Sequence, residues 1–305
     1  MRTRRFWSAV GCLSGVCWLL AGPGSPAASS TAMHATLSVR GAVNAPATYS
    51  RSELAALPQT TVETASGSAT HTVEGVSLLT LVNLAQPALA TGVKNAQLRV
   101  TIAVEGSPGR AMTIALGELD PNFGNHPAIL ALERDGRHLR RGPRLVFPDD
   151  QTAARFVLHV KRITIAIQNP TSSVPARAGD LTVTDGDVTR VLSVEQLAHL
   201  RSHTRTVSFF AGTSPQTHTE TGPSLRAVLA EAGVRTSRDT WVAAVASDNY
   251  VATVTPGEDR FGGRSLQISL VEDGVALAQP RLVVDGDVKG GRYVSGVTKL
   301  VVGEG

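Results

Sequence analysis

Pro143-Arg144-Leu145-Val146, followed by Ala154-Arg155-Phe156, returns later in the chain as Pro280-Arg281-Leu282-Val283, followed by Gly291-Arg292-Tyr293. Upstream of each, Leu132-Glu-Arg-Asp-Gly136 returns as Leu270-Val-Glu-Asp-Gly274, and His71-Thr-Val-Glu-Gly75-Val-Ser-Leu78 as His218-Thr-Glu-Thr-Gly222-Pro-Ser-Leu225. The order is the same in both series and the spacings nearly so. Each series spans about 130 residues, too long for a solenoid unit and suited to a domain. The chain therefore reads as a tandem duplication, with one copy at 36–168, a linker at 169–180 and a second copy at 181–303.

The first 28 residues read as a secretory leader. Arg2, Arg4 and Arg5 precede an apolar run from Phe6 to Leu20, Gly22-Pro-Gly breaks it, and Ser25-Pro-Ala27 offers a cleavage site. An uncleaved anchor is the alternative, and Arg4-Arg5 admits twin-arginine export, although Phe6 follows that pair directly. The expected location is secreted or periplasmic, with no membrane contact beyond the cleaved signal. The formal net charge of +4 includes the three leader arginines, so about +1 remains, which gives no footprint for nucleic acid. Both cysteines, Cys12 and Cys17, lie in the leader. The mature chain thus has no disulfide, thiolate-held metal, iron–sulfur cluster or cysteine nucleophile, and must fold on its apolar cores alone.

Each copy reads as a β-rich α+β unit with two short helices. Ser50-Arg-Ser-Glu53 and Ser193-Val-Glu-Gln196 are capping boxes that start helical turns ending at Leu57 and Leu200. Second helices are expected over Ser77 to Leu84 and Ser224 to Ala232, the latter stopped by Gly233. Alternating patterns predict strands over Leu37 to Val43, Gln97 to Val104, Arg110 to Ala115, Ala128 to Leu132 and Phe156 to Ile167. Asp135-Gly136 and Asp273-Gly274 are hairpin turn signals. Gln168 to Asp180 is short for a linker, so the copies are expected to pack side by side.

Together these motifs resemble the molybdopterin-binding domain of the sulfite oxidase family, in a reduced, secreted, tandemly duplicated form. The resemblance rests on Gly41-Ala-Val43, on Tyr49-Ser50 to Leu57-Pro58, and on Gly75-Val-Ser-Leu78. It extends through Ile129 to Gly136, Gly142-Pro-Arg144-Leu-Val-Phe-Pro148 and Arg155 to Ile163. It implies a β-rich α+β fold in each copy and molybdopterin as the family's cofactor. The family's molybdenum-ligating cysteine falls near Thr64 in the first copy and near Phe209 or Phe210 in the second. A threonine hydroxyl is a hard neutral donor and a phenyl ring has none, so neither replaces a thiolate. The family's phosphate-holding lysine falls at Leu158 and Ser295, both uncharged. No bound cofactor is therefore expected, although the resemblance leaves molybdopterin open.

Arg144 and Arg281 recur at one strand position, and Arg155 and Arg292 at another; such forks either bind an anion or form structural salt bridges. His71 and His218 lack metal-ligand spacing and read as polar strand residues. Asp185-Gly-Asp187 and Asp285-Gly-Asp287 lack the further oxygens of a calcium loop and read as turns. No Gly-x-Ser-x-Gly elbow is present. Tyr250 either lines a pocket or sits half-buried on a strand. The function expected is that of an exported, non-catalytic binding or accessory protein for a small anionic ligand or a protein partner. Thr64, Arg144 and Arg155 are the candidate binding residues, with Phe209 and Phe210 filling the second copy's cavity. Two alternatives stand beside it: a molybdopterin-dependent oxidoreductase with a cysteine-free metal site, and a structural or adhesive β-rich module without a concave polar pocket.

Overall fold

A computed structural model describes residues 37–66, 69–106, 110–150 and 152–305; the leader and cleavage site expected from the sequence lie outside them. In the first half, strands β1 (Leu37–Gly41) and β2 (Ala47–Tyr49) lead to helix α1 (Arg51–Ala56) and to the hairpin β3 (Gln59–Ser66) and β4 (Ala69–Ser77). Helix α2 (Leu78–Ala85) follows, then β5 (Val100–Glu105), β6 (Ala111–Ala115) and the short helix α3 (Leu116–Leu119). Strands β7 (Ile129–Arg134), β8 (Arg137–His138), β9 (Arg144–Val146) and β10 (Arg162–Ile167) complete it. The second half runs β11 (Leu181–Asp185), β12 (Val188–Leu192), α4 (Val194–His199), β13 (Ser202–Ala211), β14 (Ser214–Pro223) and α5 (Leu225–Glu231). It ends with β15 (Thr240–Ala246), β16 (Val251–Val254), α6 (Pro256–Arg260), β17 (Leu266–Glu272), β18 (Val275–Val284) and β19 (Val297–Glu304). The protein is thus α+β and rich in strand.

Strand order is the same in the two halves. One sheet runs β2-β1-β10-β5-β6 and another β12-β11-β19-β15-β16; in each, the only parallel pair joins the first strand of the half to its last. The other sheets run β3-β4-β7-β8, with β9 also on β7, and β13-β14-β17-β18. Here the halves differ. Strand β18 is continuous, whereas its first-half equivalent is interrupted by Leu139–Pro143 between β8 and β9.

Local chemistry accounts for the element ends. Ser50 and Ser193 each accept from the backbone three residues on, and Glu53 and Gln196 reach back to the serine backbone, closing both capping boxes. Asp135 and Asp273 stand at φ +51° and +50° before glycines that are also left-handed, which suits a two-residue hairpin turn. The repeated His-Thr pairs fasten these turns. His71 Nδ1 lies 2.9 Å from Asp135 Oδ2 while the Thr72 amide donates to Oδ1, and His218, Asp273 and Thr219 repeat the arrangement. Gly75 and Gly222 recur because a Cβ there would collide with the Leu130 and Ile268 carbonyls of the neighbouring strand.

The strand expected over Phe156 to Ile167 begins only at Arg162. A 3-10 turn at Ala153–Arg155 precedes it, and His159 takes φ +53°. Gln97 to Val104 likewise opens as a 3-10 turn at Ala96–Arg99.

The described residues from Leu37 onward belong to one compact unit. It holds two main apolar cores, one around Leu54, Leu81, Ile102 and Ile163, the other around Leu197, Leu229, Ile268 and Leu300. Leu98 and Phe123 of the first half belong to the second core, so the halves interlock. Among the described residues no helix is long and apolar enough to cross a membrane.

Candidate functional site

The β13–β14 hairpin carries Phe209 and Phe210 to its tip, where the Phe210 amide donates to the Val288 carbonyl at 2.9 Å. Between this tip, the 3-10 turn at Gly290–Arg292 and the loop entering β16 lies an open cleft of about 660 Å³. First-half residues Lys94, Asn95 and Asn122 close its other side. Gly290 and Gly291 are small for a reason: a Cβ on either would strike the ring of Phe209 or Phe123. The Phe209 ring lies 4.2 Å from that of Tyr293, and Phe210 is half-exposed on the wall.

Polar groups in the cleft are held in place. Tyr250 donates its hydroxyl proton to the Gly291 carbonyl at 2.6 Å and accepts from Asn95 Nδ2 at 2.9 Å. Burial pushes the Tyr250 phenol up, so it stays neutral and keeps its proton. Lys289 donates to Asn122 Oδ1 at 2.8 Å, and Lys94 is exposed at the rim. Among the described residues the buried Tyr293 hydroxyl has no hydrogen-bond partner, and burial beside Asp287, Asp285 and Glu220 raises its pKa. The arrangement offers cationic and amide donors beside flat rings, which suits a small anion with an apolar body.

Where the halves meet, Arg155 is fully buried. Its Nε and Nη2 donate to the Asp150 carboxylate at 2.8 and 2.5 Å, its Nη1 donates to Glu118 at 2.5 Å, and its guanidinium lies 3.9 Å from the Phe147 ring centroid. Arg292 repeats this with Asp287 at 2.8 and 2.6 Å and Glu258 at 2.6 Å. The two clusters adjoin. A Cβ on Gly117, in the α3 turn of the first half, would press on Arg292, and one on Gly257, in α6 of the second, would touch Arg155. His126 sits between Glu118 and Asp150 at 3.4 and 3.3 Å. Each guanidinium faces two carboxylates. Asp150, held bidentate by Arg155 and by His126, is kept below the usual carboxylate range, while burial and the nearby Glu258 push Glu118 up to about 7.

The three residues expected to share a site are dispersed. Thr64 is buried on β3 opposite His71. Arg144 opens β9 and lines a separate concavity. Arg155 lies beneath with every nitrogen engaged by a carboxylate, so its forked donors are spent inside the protein. Register also shifts the equivalence at the cysteine position: Thr64 faces His71 as Val207 faces His218, and Phe209 and Phe210 lie further toward the hairpin tip. The aromatics expected to fill a cavity line the cleft instead, Phe209 packed against Val207, Val283 and Tyr293 and Phe210 exposed on the wall. Tyr250 does line the cleft.

Sequence reading missed the carboxylate partners of the buried arginines. A signal was present: Gly117-Glu118 recurs as Gly257-Glu258, and Asp150 and Asp287 stand at the same interval before Arg155 and Arg292. The Asp285-Gly-Asp287 segment does turn, with Gly286 at φ +82°, but Asp287 is also a buried ion-pair partner.

These residues do not fit a molybdenum centre of the family's kind. The donors around the cleft are nitrogen and oxygen atoms, and a soft sulfur-rich metal site has no thiolate there to meet it. Among the described residues no group of three or more His, Cys, Asp or Glu side chains is arranged to hold a metal ion. No protein-family model matches the chain, and no curated protein matches it. Among solved structures, the chain is similar to the sulfane dehydrogenase SoxCD from Paracoccus pantotrophus, at 15% identity and a TM-score of 0.35, over 84% of this chain and 64% of that one. The chain thus spans less than two thirds of that structure's length.

Proposed function

We propose that this is an exported, non-catalytic binding protein on a duplicated, reduced scaffold of the sulfite oxidase molybdopterin type, and that it takes a small anionic ligand with a flat apolar part. The repeated motifs and the matching strand orders of the two halves support the duplication. The arginine-led apolar leader supports export, and the lack of any cysteine after Cys17 supports a role without thiolate-bound metal. The observation that carries the reading is the cleft, where Lys94 and Lys289 stand beside Phe210 and Tyr250. An adhesive module needs no such concavity.

The test is a titration of protein purified from an exporting host with 1-naphthoate, a flat aromatic carboxylate. Saturable binding that falls by about tenfold in Lys289→Gln and in Phe210→Ala is expected, the range for one lost charge-assisted hydrogen bond or one ring contact. Stoichiometric molybdenum in that protein would overturn the non-catalytic reading. Binding untouched by either substitution would overturn the cleft as its site.

A further inference from the structure

The first half carries a concentration of arginine that the second lacks: Arg134, Arg137, Arg140, Arg141 and Arg144 fall within one short stretch. The fold gathers it. The Leu139–Pro143 interruption between β8 and β9 lifts Arg140 and Arg141 outward, and with Arg144, Gly142 and His159 they line a concavity of about 140 Å³. The loop is fixed. Arg51 donates to the Leu139 carbonyl at 2.5 Å, the Leu139 amide donates to the Leu132 carbonyl, and the Val160 amide donates to the Pro143 carbonyl. Gly142, at φ +119°, allows the turn, and His159, also left-handed, lies against it.

The contrast with the other half gives the site its chemistry. Arg281, at the position matching Arg144, is neutralised within the fold by Glu220 and Glu272 and bonded to Ser295. The positions matching those two acids carry Val73 and Arg134. Arg144 therefore lacks the two acids that neutralise Arg281, and its burial first, with the positive charge of Arg134 second, works against its own charge. Arg134 is itself braced by His71 Nε2 at 2.7 Å and by Asp135. A half-buried guanidinium without an internal counterion gains most from an external anion, and three guanidinium forks lining one concavity suit a tetrahedral oxyanion.

We propose that Arg140, Arg141 and Arg144, backed by Arg134, form a site for a dianionic tetrahedral oxyanion, a phosphate or sulfate group, on the first half only. The site shares no residue with the cleft, so it stands or falls independently of the ligand proposed there.

The experiment titrates the full chain with inorganic phosphate and, separately, inorganic sulfate by calorimetry at constant ionic strength, with sodium chloride as control. One saturable site is expected, weakened by about tenfold or more in Arg144→Ala and in the exposed Arg141→Gln, the latter leaving the fold intact. Arg134→Glu recreates the second half's arrangement and supplies Arg144 with an internal counterion; it is expected to abolish binding in a folded protein. Arg281→Ala and Lys289→Gln are expected to leave it unchanged. Heats no larger than those from chloride, or equal losses in Arg281→Ala and Arg144→Ala, would overturn the proposal.

Discussion

Arg155 shows how a residue's role depends on the groups that meet it. It is fully buried with two carboxylates, and a buried ion pair adds little net stability against an apolar replacement, although stripping one partner is expensive. Arg155→Ala leaves Asp150 and Glu118 uncompensated and is expected to cost about 3–5 kcal/mol, read from denaturant midpoints. Glu118 adds a pH dependence. Its folded-state pKa of about 7 lies above the ordinary 4.5, because burial and Glu258 outweigh the pull of Arg155 and His126. Between those values the folded state holds a proton that the unfolded chain has released. This contribution is full below pH 4.5 and is lost as the pH rises through 7. Burial raises Asp287 in the same direction. The wild type is therefore expected to lose stability from pH 5 to pH 7.5 and Glu118→Gln to lose less; parallel profiles would show that Glu118 is ionised throughout. The recurrence of the two arginines was legible in the sequence, and so was that of Asp150 and Asp287 five residues before them; which distant acids complete the clusters was not, because the fold, rather than sequence proximity, brings Glu118 and Glu258 to them.

At the scale of the element, what was readable was what local chemistry decides. The capping boxes at Ser50 and Ser193 and the turns at Asp135 and Asp273 depend on neighbours in sequence or on one adjacent strand, and they stand where the sequence puts them. Ser193→Ala removes a cap from a six-residue helix with one buried leucine and is expected to cost about 1 kcal/mol, measured by thermal unfolding. Phe156 to Arg162 escaped the same reading. Its apolar alternation resembles a strand, but Val157 makes only an isolated bridge to Leu145, and Val160 turns into the core beside the left-handed His159. The candidate site was less legible still. The resemblance brings Thr64, Arg144 and Arg155 together, yet the fold places them at a buried position of the mostly exposed β3, at the start of β9 and in an internal ion pair. The cleft depends instead on hairpin length: counted from the His71 and His218 pairs, the second hairpin is two pairs longer, and the added pairs carry Phe210 beyond Phe209 to the rim.

Across the whole molecule, the seam between the halves joins core packing to buried polar contacts. Leu98 and Phe123 complete the second core, Thr253 donates to the Leu98 carbonyl at 2.8 Å, and Arg264 bridges the Gly124 and Gly286 carbonyls. The two buried arginine clusters meet there, each packed on the other half's Gly-Glu turn. Two domains joined by a linker unfold separately when their interface is small and polar, and together when each supplies part of the other's core. The chain from Leu37 onward is accordingly expected to give one calorimetric transition, with equal calorimetric and van't Hoff enthalpies. Gly291→Ala forces a methyl against the Phe123 ring at this seam and is expected to lower stability by about 1–3 kcal/mol, the range for overpacking. It should move the unfolding of both halves, monitored for the second by Trp241, the only tryptophan after Trp18, and for the whole by far-ultraviolet circular dichroism. If the Trp241 transition shifts while a second circular dichroism transition stays in place, the halves are separate folding units and the seam is only a contact between them.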